Sequence, residues 1–196
     1  MPRKARLSIP GAVTHVMACC LDGQMLFRDD EDRETFLRLL ELCVRETGSR
    51  CYAWALMSNH YHLVIRNCGE DLWRIMKPLN MRFAQICNKK YERRGPLFMD
   101  RFKSIVTQDQ NYIQELVRYV HLNPVRAGIC KTLRELDRYP WTGHPALMEK
   151  AAVRFRIPEM CSCVFQTERM MPGRSITGIC GKSLIPGKSD SSSCCA

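Results

Sequence analysis

The chain has 196 residues, 45 % of them apolar, and a formal net charge of +10. That length is enough for one sizeable core, and no run approaches the roughly 18 uninterrupted apolar residues of a membrane span. The composition argues against a membrane protein, and so strong a positive field suits a polyanion, of which nucleic acid is the common case.

The basic start, Arg3-Lys4-Ala5-Arg6, runs into Leu7-Ser8-Ile9-Pro10 with no long apolar stretch behind it, so no secretory signal is expected. Twelve cysteines are scattered without a C-x-x-C pair, several of them among apolar residues. Free thiols in a reducing cytoplasm are the expectation, rather than a disulfide framework or a zinc site.

Residues 12–20 form a first strand, ending at the Asp22-Gly23 turn signal. His15 within it can face either the core or a groove. Asp29 or Asp30 caps a helix running to about Thr47, with Phe36, Leu39, Leu40, Cys43 and Val44 on one face and Gly48 as its stop. A second strand covers Arg50 to Leu56. Its antiparallel neighbour follows across the tight turn at Met57-Ser58-Asn59.

A second helix is expected from about Glu70 to Lys90, kinked by Pro78. The basic stretch 89–96 leads into a fourth strand or edge segment over 97–106. A third helix then spans Asn111 to about Asn123, where Pro124 should push Asn123 out of regular helix and let its amide oxygen reach outward. The order strand, helix, strand, strand, helix, strand predicts an α+β fold. It is the ferredoxin-like split β-α-β arrangement, an antiparallel sheet with helices on one face and the other face free to hold a site. Residues 1–144 make up this domain. Residues 145–196, rich in serine and cysteine and still basic, are expected to be a poorly ordered or truncated tail with helix potential only at 146–157.

Strand alternation sets His60 and His62 on one face, with Tyr61 and Leu63 on the other. Two adjacent imidazoles on a rigid strand can ligate a divalent metal, and they can equally be half-buried histidines with hydrogen-bond partners. On the third helix Tyr119 and Asn123 are four apart and share a face, and Tyr112 lies two turns before Tyr119. A phenol titrates near about 10 and needs a cation nearby to be a useful nucleophile. Beside a metal that polarises a phosphate, it can attack phosphorus and keep the phosphodiester energy as a phosphotyrosine. The plainer reading is an aromatic residue that packs the helix on the sheet.

Three blocks, Met57-Ser-Asn-His-Tyr-His-Leu63, Gly95-Pro-Leu-Phe-Met-Asp-Arg-Phe102 and Tyr119-Val-His-Leu-Asn-Pro-Val-Arg-Ala-Gly128, together resemble the single-tyrosine HUH transposases (IS200-like). The likeness is nearest to the REP-associated tyrosine transposases and covers roughly residues 6–144. The resemblance implies that His60, His62 and Asn123 bind Mg²⁺ or Mn²⁺, and that Tyr119 is the catalytic nucleophile with Tyr112 as a fallback. It also implies cleavage of single-stranded DNA near hairpins, REP-like or at insertion-sequence ends, leaving a 5′-phosphotyrosine and a free 3′-hydroxyl. Monomer and homodimer both occur in such proteins. Family members commonly carry proline where Ser58 stands, and longer relatives continue with helical material that the tail here lacks.

Arg93, Arg94, Arg101, Lys103, Arg118 and Arg126 flank the site in sequence and are expected to contact DNA phosphate. Tyr91, Phe98 and Trp73 are candidate stacking platforms for unpaired bases. Two other functions compete with strand transfer. One is a catalytically inactive protein that binds a DNA or RNA hairpin on the same fold; the other is a metal-dependent nuclease without a covalent intermediate.

Overall fold

The first strand, β1 (Val13–Cys19), lies within the expected residues 12–20 and is buried except at Met17 and Cys19, which are half-buried. Residue 9 and residues 11–107 and 110–148 are described by the computed structural model. The chain divides into two units, residues 1–161 and 162–196, and every described residue belongs to the first. Helix α1 (Asp30–Glu46) starts at Asp29, whose side chain accepts the backbone N–H of Asp32 at 2.9 Å. It ends before Gly48, where φ is +61° and a side chain would be strained. Strands β2 (Arg50–Leu56) and β3 (His60–Arg66) follow, joined by a tight turn in which Met57 N–H donates to His60 O at 2.9 Å. Helix α2 (Leu72–Lys90) contains Pro78, and β4 (Lys103–Thr107), α3 (Gln110–Arg126), α4 (Leu133–Leu136) and α5 (His144–Leu147) complete the described chain.

The four strands form one antiparallel sheet in the order β2-β3-β1-β4, flanked by helices in a mixed α/β fold. Register sorts the side chains. Val16, Ala18, Tyr61, Leu63 and Ile65 point to one face; His15, Met17, Cys19, His60, His62 and Val64 point to the other. Helices α1 and α2 close the first face, burying Phe36, Leu40, Leu79 and Phe83 against it. The Phe36 ring lies 4.7 Å from that of Tyr61, whose hydroxyl donates to Asn80 Oδ1 at 2.7 Å. Tyr61 therefore anchors β3 from below and fixes which way its neighbours face.

Helices on one face only is corrected by the structure: α3 lies on the histidine side, over β2 and β3. The reason is apolar. Leu116, Val117 and Val120 of α3 are buried, and Ala53, Ala55 and Val64 keep the sheet surface low beneath a helix. Toward the β4 edge of that face Lys103 and Ile105 are exposed.

Two boundaries also differ. The segment 97–102 is irregular apart from an isolated bridge between Cys20 and Phe98, and β4 begins only at Lys103. Leu97 and Phe102 both enter the core; five residues apart, they would face opposite sides of a regular strand. Helix α3 runs past Asn123 and Pro124 to Arg126. Of the helix expected at 146–157 and the tail beyond, residues 149–196 lie outside the described residues.

The outer edge of β2 is covered by the segment after Tyr139: Leu56 N–H donates to Trp141 O at 2.8 Å, and Gly143 N–H to Trp54 O at 3.0 Å. A methyl group on Gly143 would sit 2.8 Å from His121 Nε2 and 3.1 Å from the Trp54 ring, both fixed and buried. Gly143 has φ −70°, so the obstacle is steric and not conformational. Gly143→Ala is expected to destabilise the protein by about 1–3 kcal/mol, read from the midpoint of urea unfolding at an unchanged slope.

No helix among the described residues is long and apolar enough to cross a membrane. The described cysteines, among them Cys43, Cys51 and Cys87 in the core, are all free thiols.

Candidate functional site

His60 and His62 stand two residues apart on β3, with ring centroids 4.9 Å apart and planes at 84°. The His60 Nδ1–H donates to Asn59 Oδ1 at 2.6 Å, because an amide oxygen can only accept. His62 Nδ1 is bonded at 3.0 Å to the Nε2 of a third histidine, His15 of β1. Burial pushes the His15 pKa down to about 4 and lowers that of His60. His62 falls well below the ordinary value, first through burial and then through its two histidine neighbours. Each shift favours the uncharged ring, in which one nitrogen carries a lone pair in place of a proton.

Helix α3 brings Tyr119 over this cluster. Its ring centroid is 6.0 Å from that of His15 and 6.2 Å from that of His62, edge-on to both. Its hydroxyl has no hydrogen-bond partner among the described residues, and the Arg126 guanidinium stacks 4.8 Å from its ring centre. Tyr112 sits two turns earlier, roughly 10 Å along the helix axis, and makes no ring contact with the histidines.

Asn123, one turn after Tyr119, is buried and held. Its Nδ2 donates to Tyr119 O at 3.0 Å and to Val120 O at 3.3 Å. In an unbroken helix the N–H of residue 124 would occupy Val120 O; Pro124 has none, and the Asn123 amide takes that place. The expectation of a frayed end is thus corrected. Asn123 stays helical, its own carbonyl accepting Ala127 N–H at 2.9 Å, and its amide nitrogen is committed to the helix. Oδ1 is the atom left for anything else.

Of the six basic residues flanking the site in sequence, Arg126 stands on the tyrosine and Lys103 is exposed on the histidine side of the sheet, in register with Met17. Arg93 and Arg94 belong to the loop after α2, Arg101 is exposed ahead of β4, and Arg118 is half-buried on α3. Two of the three stacking candidates pack against the core instead: Phe98, and Tyr91, whose hydroxyl donates to Asp32 at 2.7 Å. Trp73 is 48 % exposed, on α2, across the sheet from the histidines. Sequence reasoning missed Asn59 and left the face of His15 undecided. The β1–β3 register decides it, and alternation within one strand does not supply that register.

Among the described residues no group of three or more His, Cys, Asp or Glu side chains is arranged to hold a metal ion. The candidate donors here are of a different kind: two neutral imidazoles and one amide oxygen. The His60 Nε2 keeps its lone pair because Nδ1 carries the proton. A neutral N,N,O set leaves the whole charge of a divalent cation, and most of its coordination positions, to water and phosphate, as Mg²⁺ and Mn²⁺ sites commonly do. In donor chemistry these residues are compatible with such an ion.

A search of the curated proteins finds no match. Among solved structures, the chain is similar to that of a REP-associated tyrosine transposase bound to a REP hairpin, at 16 % identity and a TM-score of 0.63, covering 80 % of this chain and 90 % of that one. Weaker likenesses reach a protein of Deinococcus radiodurans R1 described as a candidate transposase (15 % identity, TM-score 0.41, 61 % of this chain and 95 % of that). The tRNA(His) guanylyltransferase of Saccharomyces cerevisiae is similarly distant (8 % identity, TM-score 0.42, 85 % and 81 %). At such identities the first supports the fold alone. The sequence profile of the family described as "Transposase IS200 like" matches residues 9–123, more than half of the chain. The chain belongs to the IS200-like transposase family.

Proposed function

We propose that the protein is a strand transferase of the single-tyrosine type, acting on single-stranded DNA beside a hairpin. The observation that carries this reading is Tyr119, half-buried, its hydroxyl without a hydrogen-bond partner among the described residues, and edge-on to His62 and His15 on the face where His60 and His62 stand together. In this reading His60 and His62 through Nε2, and Asn123 through Oδ1, hold Mg²⁺ or Mn²⁺. Held there, such an ion would supply polarisation of the scissile phosphate and stabilisation of charge on its oxygens. The Tyr119 oxygen attacks phosphorus as the bond to the 3′-oxygen breaks; the phenol loses a proton and the 3′-oxygen gains one. The products are a 5′-phosphotyrosine and a free 3′-hydroxyl, so the step can be reversed onto a second strand. Arg126 and Lys103 are the side chains best disposed to steer phosphate into the site, with Arg93, Arg94, Arg101 and Arg118 adding affinity farther along the strand.

The strand order β2-β3-β1-β4 supports reading the sheet as the ferredoxin-like split arrangement of HUH type. The hairpin partner is inferred by analogy with the similar structure described as bound to a REP hairpin.

The test is a covalent-adduct assay on denaturing gels, with labelled single-stranded DNA carrying hairpins and either Mn²⁺ or EDTA. A metal-dependent shifted band supports transfer. Cleavage without a band would replace the reading with a hydrolase, and metal-independent binding without cleavage would replace it with a binding protein.

Pro124 makes a sharper demand on the site. Pro124→Ala restores the N–H that pairs with Val120 O, so the helix gains up to about 3 kcal/mol while the Asn123 amide is displaced. The expected result is opposite in sign on two readouts: a higher melting temperature, and Mn²⁺ binding weakened roughly tenfold in calorimetry.

A further inference from the structure

His15 is the only other histidine on the sheet face that holds His60 and His62. Its Nε2 lies 3.0 Å from His62 Nδ1, and the two rings are only 18° from parallel. Their centroids are 5.2 Å apart, about the nitrogen–nitrogen distance plus two ring radii. The rings therefore meet edge to edge in nearly one plane and are not stacked face to face. This is the geometry of a straight N–H···N hydrogen bond.

Such a bond between neutral rings has two forms. If His15 donates, His62 accepts at Nδ1 and carries its own proton on Nε2, where it can ligate nothing. If His62 donates, its Nε2 keeps a lone pair directed away from β1. Metal-binding histidines depend on an acceptor behind the ring to choose the second form. His60 has one in Asn59 Oδ1; for His62 the atom in that position is His15 Nε2.

We propose that His15 is a positioning residue that accepts the Nδ1 proton of His62 and so holds His62 in the tautomer whose Nε2 lone pair faces the site. This rests on reading His60 and His62 as metal ligands. A carboxylate would do the same mechanically, but it would spend part of the ion's charge. A neutral imidazole orients His62 and leaves that charge for phosphate. His15 is well held for the task, 8 % exposed in a strand paired on both sides, and its ring also supports Tyr119 edge-on.

The test uses the full chain labelled with ¹⁵N-histidine. In the metal-free wild type, NMR is expected to show His62 protonated on Nδ1. His15→Phe keeps a flat ring against Tyr119 but offers no acceptor. In that variant the His62 proton is expected to move to Nε2, the form free histidine prefers in water, and Mn²⁺ binding by calorimetry to weaken roughly 10- to 100-fold. His15→Gln can place a carbonyl oxygen near the original Nε2 and is expected to restore affinity to within about threefold of wild type.

A wild-type His62 protonated on Nε2 overturns the proposal without any variant, which also decides the matter if His15→Phe does not fold. So does a folded His15→Phe that binds Mn²⁺ as wild type does, since His15 would then only pack. Binding lost in His62→Leu but kept in His15→Phe removes the role of His15 alone. Binding kept in both removes the reading of the metal site as well.

Discussion

Tyr119→Phe is expected to lose covalent attachment to DNA altogether, by roughly a thousandfold or more, the scale seen when a covalent nucleophile is removed. The substitution deletes one oxygen that has no hydrogen-bond partner among the described residues, and leaves the ring that packs on His15 and His62. Stability, Mn²⁺ affinity and hairpin binding in EDTA should therefore stay within about twofold of wild type, since no other donor or charge is touched. That contrast separates a nucleophile from a packing aromatic: a packing role predicts no loss of adduct, and a general structural role predicts losses in all four readouts. Tyr112→Phe is the matched control, about 10 Å along the same helix, and should keep full adduct formation. An adduct that survives in Tyr119→Phe and vanishes in Tyr112→Phe would move the nucleophile by two turns.

His60→Leu and His62→Leu are expected to weaken Mn²⁺ binding by more than about a hundredfold each, because a first ligand is worth at least as much as the groups that orient it. Leucine roughly keeps the volume, so the sheet should survive. The two variants should nevertheless differ in stability. His60 gives up a hydrogen bond with Asn59 at the mouth of the strand, and Asn59 can turn to water. His62 is 4 % exposed, and its removal leaves His15 Nε2 buried without a partner, at a cost of about 1–3 kcal/mol. Calorimetric titration with Mn²⁺ and thermal unfolding of the metal-free variants check both halves. Equal affinity in either variant would remove that histidine from the ligand set.

Much of this was legible from residue order. The alternation in His60-Tyr61-His62-Leu63 predicts which side chains share a face whatever the tertiary structure, and the Asp29 cap and Gly48 stop rest on local backbone geometry. What was not legible depended on a partner from elsewhere in the chain or on a competition between two local rules. His15 needed the β1–β3 register. The segment 97–102 mixes apolar and charged residues as an edge strand can, yet Leu97 and Phe102, five apart, both turn into the core, which no regular strand allows. At Pro124 the rule that a residue before proline leaves the helix is overruled, because the Asn123 side chain supplies the donor that proline withholds. The same residue that should have frayed the helix thereby aims the amide.

One strand carries both a fully buried core aromatic and the paired imidazoles, on alternate residues. Sliding β3 by a single position against its neighbours would carry Tyr61 to the face beneath α3 and drive two imidazoles among Phe36 and Phe83. A chain with the wrong pairing thus has neither a core nor a site, and a chain with the right pairing has both. On the strand-transfer reading proposed above, a misfolded copy would also be a silent one, because the pairing that buries Tyr61 is the pairing that sets His60 and His62 side by side.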